Sequence, residues 1–254
     1  MNIDLSSQIE LAAQLIRNSK YAVAFTGAGI STASGIPDFR SPGTGLWEKY
    51  DPFEVASLSA FKNNPEKFFN WIKSLYLQAK SAKPNRAHQF LSQMEKKGII
   101  KSIITQNIDG LHQKSGAVRV IELHGSARTV TCPNCRVSYN SDRLLEKMKN
   151  DALLLTCSKC GHILKPDMVL FEETLPEKAW ISAHMEARKA DLFLVIGSSL
   201  EVYPANTLPE IAIRNGAKLI INTHSKTPMD QLADALICMD VTKSIPKIFE
   251  LIET

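Results

Sequence analysis

The sequence predicts an α/β protein with a Rossmann-like, doubly wound parallel sheet and a smaller second lobe. Short apolar runs of strand length alternate with helical patterns along much of the chain. Such alternation favours a parallel sheet with helices on both faces. Two stretches of different composition, residues 37–85 and 126–165, interrupt this pattern, and we expect them to leave the sheet and form the second lobe together.

Length and composition allow one large α/β domain with a small insert. The chain has 254 residues, of which 44% are hydrophobic and 22% charged, so a packed core is expected and disorder is not. The formal net charge of +4 is too small to indicate nucleic-acid binding. We find no signal-peptide pattern and no apolar run of about 18 residues, and therefore expect a cytoplasmic location and reduced cysteines.

The individual elements follow from periodicity and from turn residues. Ser7 and Glu10 fit a capping box, which predicts an opening helix over about residues 6–19. Further helices are predicted over 87–97 and 178–189. The predicted strands cover residues 21–26, 99–105, 118–123, 192–196, 218–221 and 235–238.

The two interruptions divide the chain into three parts. Residues 1–36, 86–125 and 166–254 are predicted to form the Rossmann-type domain. Residues 37–85, rich in proline, asparagine and aromatic residues, are predicted to form a loop and a helical module with two or three short helices at most. Residues 126–165 form the third part, which contains four cysteines.

A glycine-rich turn, Gly27-Ala28-Gly29-Ile30, directly follows the first predicted strand. Small residues there let the backbone approach a pyrophosphate at a helix N-terminus. The spacing departs from G-x-G-x-x-G because the third glycine is Gly35. A tight turn without a ligand therefore remains an alternative.

Polar side chains follow several other predicted strands. Gln106, Asn107 and Asp109 suit ribose hydroxyls and a carboxamide, although Asx-turn chemistry would also explain them. His124 ends the strand over 118–123 and suits a general base, although a single histidine is more often structural. Because parallel strands end at one edge of the sheet, we expect these side chains to converge with the polar turns at Gly197, Ser198, Ser199 and Asn222.

The cysteine spacing predicts a structural zinc site. Cys132 and Cys135 form one C-x-x-C pair, and Cys157 and Cys160 form a second. Four thiolates complete a tetrahedral shell without an open position, so the zinc would be structural. His162 is an alternative ligand. The remaining cysteine, Cys238, lies in an apolar run and is predicted to be a core residue. The smaller lobe is thus predicted to contain a zinc-binding module and a helical insert.

The order of the motifs resembles that of the sirtuins, over nearly the whole chain. The motifs are GAGISTASGIPDFR at 27–40, TQNIDGLH at 105–112, ELHG at 122–125, the paired C-x-x-C, GSSL at 197–200 and IN at 221–222. The short termini are typical of a minimal bacterial or archaeal member. The resemblance implies that NAD and an acyl-lysine peptide meet in a cleft between the two lobes.

The resemblance also implies residue roles. His124 would be the general base, and Asn107 a second catalytic residue that holds the nicotinamide ribose. Val169 and Phe171 would contact the peptide substrate. The NAD-binding residues would be Gly27, Ala28, Gly29, Ile30, Asp38, Phe39, Arg40, Gln106, Asn107, Ile108, Asp109, Gly197, Ser198, Ser199 and Asn222.

The implied activity is NAD-dependent removal of acetyl groups from protein lysine side chains, with release of nicotinamide and O-acyl-ADP-ribose. The implied partners are acylated lysines in proteins or peptides; we expect no membrane association and no specific nucleic-acid binding. One alternative is protein mono-ADP-ribosyl transfer, against which the presence of His124 argues. A non-catalytic zinc-ribbon adaptor is a second alternative, which the strand-end motifs disfavour.

Two details bear on substrate choice. Glu172 stands where sirtuins usually carry glycine in the peptide-binding loop, which predicts a strained backbone and a preference for basic peptides. The chain has no arginine between Arg40 and Arg86 that could pair with an acyl carboxylate. Aromatic and aliphatic residues fill that region instead, so we predict short neutral acyl groups, acetyl first, with longer apolar groups as further candidates.

Overall fold

A six-stranded parallel sheet forms the centre of the larger lobe, and a three-stranded antiparallel sheet lies in the smaller one. The computed structural model describes residues 4–142 and 154–253. The described strands are β1 Ala22–Thr26, β2 Ile100–Thr105, β3 Val120–Glu122, β4 Gly125–Thr131, β5 Ser138–Asn140, β6 Lys165–Met168, β7 Leu192–Ile196, β8 Lys218–Asn222 and β9 Ala235–Ile237. Their order is β3-β2-β1-β7-β8-β9 in the large sheet and β5-β4-β6 in the small one.

Helices cover both faces of the large sheet, which confirms the predicted fold class. The described helices are α1 Leu5–Asn18, α2 Pro52–Val55, α3 Leu58–Asn63, α4 Pro65–Ser81, α5 Arg86–Lys96, α6 Leu111–Lys114, α7 Glu177–Lys189, α8 Leu208–Arg214 and α9 Val241–Glu253. Helices α1, α5 and α9 pack on one face, and α7 and α8 on the other. Side chains alternate along a strand, so β1 contributes to the core on both faces of the sheet. Ala22 and Ala24 belong to the core that contains α1, α5 and α9, whereas Val23 and Phe25 belong to the core that contains α7 and α8.

The strand order places a topological switch at β1. The chain proceeds outward from β1 to β2 and β3 on one side, and from β7 to β8 and β9 on the other. In such sheets a crevice opens beyond the carboxyl ends of the strands at the point where the order reverses. The loops after β1, β2 and β7 therefore meet at that edge.

The helical insert and the cysteine-containing module share a single hydrophobic core. Phe68, Phe69 and Ile72 of α4 belong to the same buried cluster as Val130 of β4 and Leu164 beside β6. Residues 143–153, which fall within the predicted 126–165 module, lie outside the described residues. The smaller lobe is therefore one packed unit within the described ranges.

Three local predictions were wrong. Asp4, not the Ser7–Glu10 box, caps α1, because its carboxylate accepts hydrogen bonds from the backbone N–H groups of residues 6 and 7. Helix α4 is 17 residues long, although only short helices were predicted over 37–85. Cys238 is exposed, because β9 ends one residue earlier, at Ile237.

Candidate active site

A cavity of about 510 Å³ lies between the two lobes, at the carboxyl edge of the large sheet. Loops after β1, β2 and β7 form one side, and α4 and the segment after β6 form the other. All but two of the residues predicted to bind NAD or peptide or to act in catalysis line this cavity: Gly27, Ala28, Gly29, Asp38, Phe39, Arg40, Gln106, Asn107, Ile108, Asp109, His124, Val169, Phe171, Gly197, Ser198 and Ser199.

The glycines of the first turn are required by its contact with the loop after β7. The backbone N–H of Gly29 donates to the carbonyl of Gly197 at 2.8 Å. A Cβ on Gly197 would lie 2.3 Å from the backbone nitrogen of Ile30, and the φ of Gly197 is +63°. Only glycine fits where two backbones approach this closely. The two turns thus form one rigid floor of the cavity.

His124 has the geometry of a general base. Its Nδ1 lies 2.9 Å from the carbonyl oxygen of Gln106, and because a carbonyl only accepts, Nδ1 carries the proton and Nε2 a lone pair. Burial lowers the pKa of His124 below its ordinary value of 6.5, the Gln106 carbonyl opposes this shift, and the positive charge of Arg40 adds to it. The imidazole is therefore neutral, as a base must be, at neutral pH.

Asn107 and Asp109 are held in a hydrogen-bonded group with Ser31. The Asn107 Nδ2 donates to the carbonyl of Gly27 at 3.0 Å and to Ser31 Oγ at 3.2 Å. Ser31 Oγ donates to Asp109 Oδ2 at 2.7 Å, and the backbone N–H of Leu111 donates to Oδ1. Burial nevertheless raises the pKa of Asp109 above its ordinary value. These side chains form a polar pocket at the end of β2.

Charged and polar groups also join the loops around the opening. Gln106 Nε2 donates to Ser198 Oγ at 2.8 Å, which ties the loop after β2 to that after β7. Arg40 forms an ion pair with Glu201, with 3.2 Å between Nε and Oε2. Within the described lining of the cavity, Arg40 and Lys226 are the cationic side chains.

The opposite wall is largely apolar. Trp71, Ile72, Leu75 and Tyr76 of α4 line it, whereas Phe61, Phe68 and Phe69 lie in the core of the lobe. A set of aromatic contacts joins this wall to the loops: Phe39 stacks on Trp47 at 5.0 Å between ring centroids, and Trp47 lies 6.0 Å from both Trp71 and Phe171.

The four predicted metal ligands come together in the smaller lobe. The sulfur atoms of Cys132, Cys135, Cys157 and Cys160 all lie within 4.8 Å of one another. A tetrahedral zinc with Zn–S bonds of about 2.3 Å requires sulfurs about 3.8 Å apart, so the set fits a structural zinc site. His162 lies outside this cluster and is exposed. The hydroxyl of Tyr139 lies 3.1 Å from Cys157 Sγ, where it can donate to a thiolate.

Comparison with known proteins identifies the family. The pattern of the Sir2 family matches residues 27–204. An NAD-dependent protein deacetylase of Sulfurisphaera tokodaii is 48% identical over 241 residues, which covers 94% of each chain. A solved Sir2 enzyme superposes with a TM-score of 0.92 at 44% identity over 98% of both chains. Sir2Tm bound to a propionylated peptide superposes with a TM-score of 0.87 at 36% identity, again over 98% of both chains.

The chain belongs to the Sir2 family. This membership confirms the sirtuin resemblance that the motifs carried, and the four-cysteine site and the sheet agree with it.

The structure does not bring two of the predicted site residues of this Sir2 family member to the cavity. Ile30 is fully buried in the core. Asn222 is buried as well, and its side chain is engaged elsewhere: Nδ2 donates to the carbonyls of Ile237 and Met239, and Oδ1 accepts from Ser244. The role of both residues toward NAD stays a prediction without a contact in the described cavity.

Other lining residues were not predicted from the sequence. After β8 the cavity is lined by Thr223, Ser225 and Lys226 and not by Asn222. Trp47 lines it beside Phe39. A search for polar residues up to four positions beyond each strand would have found the first three. No sequence signal separates Trp47 from the aromatic residues that only pack in the core.

Proposed function

We propose that this Sir2 family member is an NAD-dependent protein-lysine deacetylase, in which NAD and an acyl-lysine peptide occupy the cavity side by side. The observation that carries the proposal is the position of His124. Its neutral imidazole shares one cavity with the amide of Asn107, the carboxylate of Asp109 and the apolar wall of α4. A polar pocket, a base and an apolar wall are the three parts that this reaction requires.

The polar half of the cavity fits NAD. The backbone floor at Gly27 and Gly29, together with the cationic Arg40 and Lys226, suits a pyrophosphate. Asn107 and Asp109 offer an amide and a carboxylate to the nicotinamide ribose and the carboxamide. Bound NAD supplies an anomeric carbon from which nicotinamide can leave when the acyl oxygen of the modified lysine attacks.

The residues of the chain then supply positioning and proton transfer. The loop from Asp38 to Arg40 covers the site, and the aromatic contacts of Phe39 and Trp47 hold it against the smaller lobe and exclude water. His124 accepts a proton from a ribose hydroxyl at Nε2, while the Gln106 carbonyl keeps the ring oriented. The amide oxygen is a poor nucleophile, so alignment with the leaving bond accounts for much of the rate.

The apolar half fits a neutral acyl group. Trp71, Ile72 and Leu75 offer no charge with which a succinyl carboxylate could pair, and Val169 and Phe171 lie at the side where the peptide would run. Acetyl is therefore the preferred group, followed by longer apolar chains. Faster removal of succinyl than of acetyl from a matched peptide would contradict this preference.

The decisive test compares the wild type with His124→Ala on an acetylated peptide. We expect loss of NAD-dependent deacetylation by roughly two orders of magnitude or more, because general-base catalysis contributes this much. His184→Ala is the matched control, since His184 lies on α7 outside the cavity lining. Mass spectrometry should detect nicotinamide and O-acyl-ADP-ribose; an ADP-ribosylated peptide as the main product would instead support mono-ADP-ribosyl transfer.

The cellular location and the binding partners of the protein stay predictions. No helix among the described residues has both the length and the apolar character that a bilayer crossing requires. Cytoplasmic location and the expected lack of specific nucleic-acid binding rest on the sequence alone. Acylated lysines in proteins or peptides are the partners that the cavity fits.

A further inference from the structure

A buried hydrogen-bond chain connects His112 to the backbone of Asn107. His112 Nε2 lies 2.9 Å from Thr26 Oγ1, Thr26 Oγ1 lies 2.8 Å from Thr105 Oγ1, and Thr105 Oγ1 accepts the backbone N–H of Asn107 at 3.0 Å. Thr26, Thr105 and His112 are each at most 2% exposed. The chain therefore runs from α6 under the carboxyl ends of β1 and β2 to the cavity.

The protons of this chain can be arranged completely in two ways when the imidazole is neutral. If Thr26 donates to Thr105, His112 Nε2–H donates to Thr26; if the threonines point the other way, Thr26 donates to the Nε2 lone pair. In both arrangements Thr105 Oγ1 remains an acceptor for Asn107. Burial, with a smaller contribution from His88, lowers the pKa of His112 well below 6.5, which keeps the ring neutral.

A purely structural role explains His112 poorly. Its ring packs on that of His88, with 4.9 Å between centroids, and both rings are buried. Within the described ranges, neither nitrogen of His88 nor Nδ1 of His112 has a hydrogen-bond partner. Unpaired buried polar groups are costly, and phenyl rings would fill the same space without that cost. Of the four ring nitrogens, the one with a partner is the one that leads to Asn107.

We propose that His112 positions Asn107 for nicotinamide cleavage through the two threonine hydroxyls. The inference rests on the role of Asn107 proposed above. The side-chain amide of Asn107 donates to the carbonyl of Gly27, the residue after Thr26. The backbone N–H and the side chain of Asn107 are therefore both held by hydrogen bonds that lead to the end of β1. His112 does not line the cavity, so it acts on the rate through the position of Asn107.

The test measures single-turnover release of nicotinamide at saturating NAD and acetyl-peptide. His112→Phe and Thr26→Val each break the chain with little change of shape, and we expect both to slow release roughly ten-fold, as expected for the loss of one hydrogen bond. The KM for peptide should not change. His112→Gln, whose Nε2 can again donate toward Thr26, should recover part of the rate.

His88→Phe is the matched control, because it removes an equally buried imidazole of the same pair without removing any hydrogen bond of the chain. It should release nicotinamide at the wild-type rate. The double variant Thr26→Val with His112→Phe should be no slower than either single variant, since both interrupt one chain. If His112→Phe does not fold, Thr26→Val alone decides the test.

Three results would overturn the inference: a wild-type rate in Thr26→Val, equal slowing in His88→Phe and His112→Phe, or additive losses in the double variant. Asn107→Ala separates the inference from the proposed function. If Asn107→Ala releases nicotinamide at the wild-type rate, the proposed role of Asn107 fails. If Asn107→Ala is slow while the chain variants are fast, His112 has no positioning role.

Discussion

At the scale of single residues, the proposed role of His124 as the base leads to a prediction for the pH dependence of the reaction. Its pKa is lowered, so the ring stays neutral until the pH falls below the ordinary value of 6.5. Activity should therefore be present above this lowered pKa and should decline only as the pH falls through it. A profile of kcat/KM for peptide against pH should place the acid limb below pH 6.5; a limb above pH 7 would contradict the assignment.

Arg40 provides the control for this profile, because its positive charge contributes to the lowered pKa of His124. In Arg40→Gln, measured at saturating NAD, the acid limb should move to higher pH. A limb that stays in place or moves to lower pH would show that the positive charge of Arg40 does not lower the pKa of His124.

Glu172 shows a local conflict between backbone and side chain. Its φ of +73° lies in the left-handed region, which agrees with the predicted backbone strain. Its carboxylate accepts hydrogen bonds from the N–H and hydroxyl of Ser59, near the start of α3, and these bonds lower its pKa. Glu172→Ala loses the bonds and keeps the strain, whereas Glu172→Gly loses the bonds and relieves it. Thermal unfolding should therefore show that Glu172→Ala is less stable than Glu172→Gly, by about 1 kcal/mol.

The preference for basic peptides that Glu172 predicts should be small. Ser59 already engages the Glu172 carboxylate, which remains exposed beside the peptide loop, with Lys62 also acting on it. We expect peptides flanked by Lys or Arg to react a few-fold faster than peptides flanked by Asp or Glu, and less so in Glu172→Gln. Equal preference in the two proteins would refute a role for this charge.

At the scale of elements, the contact between the turns after β1 and β7 sets the floor of the site. Gly197→Ala would place a Cβ against the Ile30 backbone, so we expect a loss of more than about 2 kcal/mol in unfolding free energy and weaker NAD binding. Gly216→Ala is the control: its φ of +90° imposes backbone strain, but no atom lies within 4 Å. Equal losses in the two variants would show that the close approach is unimportant.

Most strands were predictable because fully buried strands consist of uninterrupted apolar residues. Helix α4 was missed in length because prolines and aromatics lie close together there, although Phe68, Ile72 and Tyr76 recur at helical spacing. The α1 cap was misplaced by three residues because Asp4 and Ser7 both suit the role, and the sequence does not tell which carboxylate or hydroxyl reaches the free N–H groups.

Most of the candidate site was predictable as well, because its position follows from the parallel sheet. Parallel strands bring their carboxyl ends to one edge, so polar residues that directly follow β1, β2 and β7 had to converge. Asn222 shows the limit of this rule: as the last residue of β8 it turns inward and donates to the backbone carbonyls of Ile237, at the end of β9, and Met239, just beyond it. Which way a strand-end side chain turns depends on neighbours that are distant in sequence.

At the scale of the whole molecule, we expect zinc held by the four cysteines to stabilise the cavity wall formed by α4 indirectly. None of the four cysteines lines the cavity, but Cys132 and Cys157 belong to the same core as Phe68 and Ile72 of α4. Zinc removal with a chelator should therefore weaken peptide binding and lower the thermal stability of the smaller lobe. Cys157→Ser should do the same. Cys238→Ser, at an exposed thiol outside the cluster, should change neither.

The buried histidine pair makes the stability of the whole molecule sensitive to acid. Burial lowers the pKa of His88 to about 4, whereas the unfolded chain titrates near 6.5. Between these values the unfolded state binds more protons, so the stability contributed above pH 6.5 is lost as the pH falls toward 4. A fall from pH 7 to pH 5 should therefore lower the free energy of unfolding by about 2 kcal/mol through this one group.

Urea unfolding of the wild type and of His88→Phe at both pH values measures this contribution. The variant should lose about 2 kcal/mol less than the wild type over the interval, because it has no imidazole at that position to take up the proton on unfolding. Some acid sensitivity should remain in the variant, since the pKa of His112 is lowered by burial as well. An equal loss in the variant and the wild type would mean that burial does not lower the pKa of His88 in the folded state.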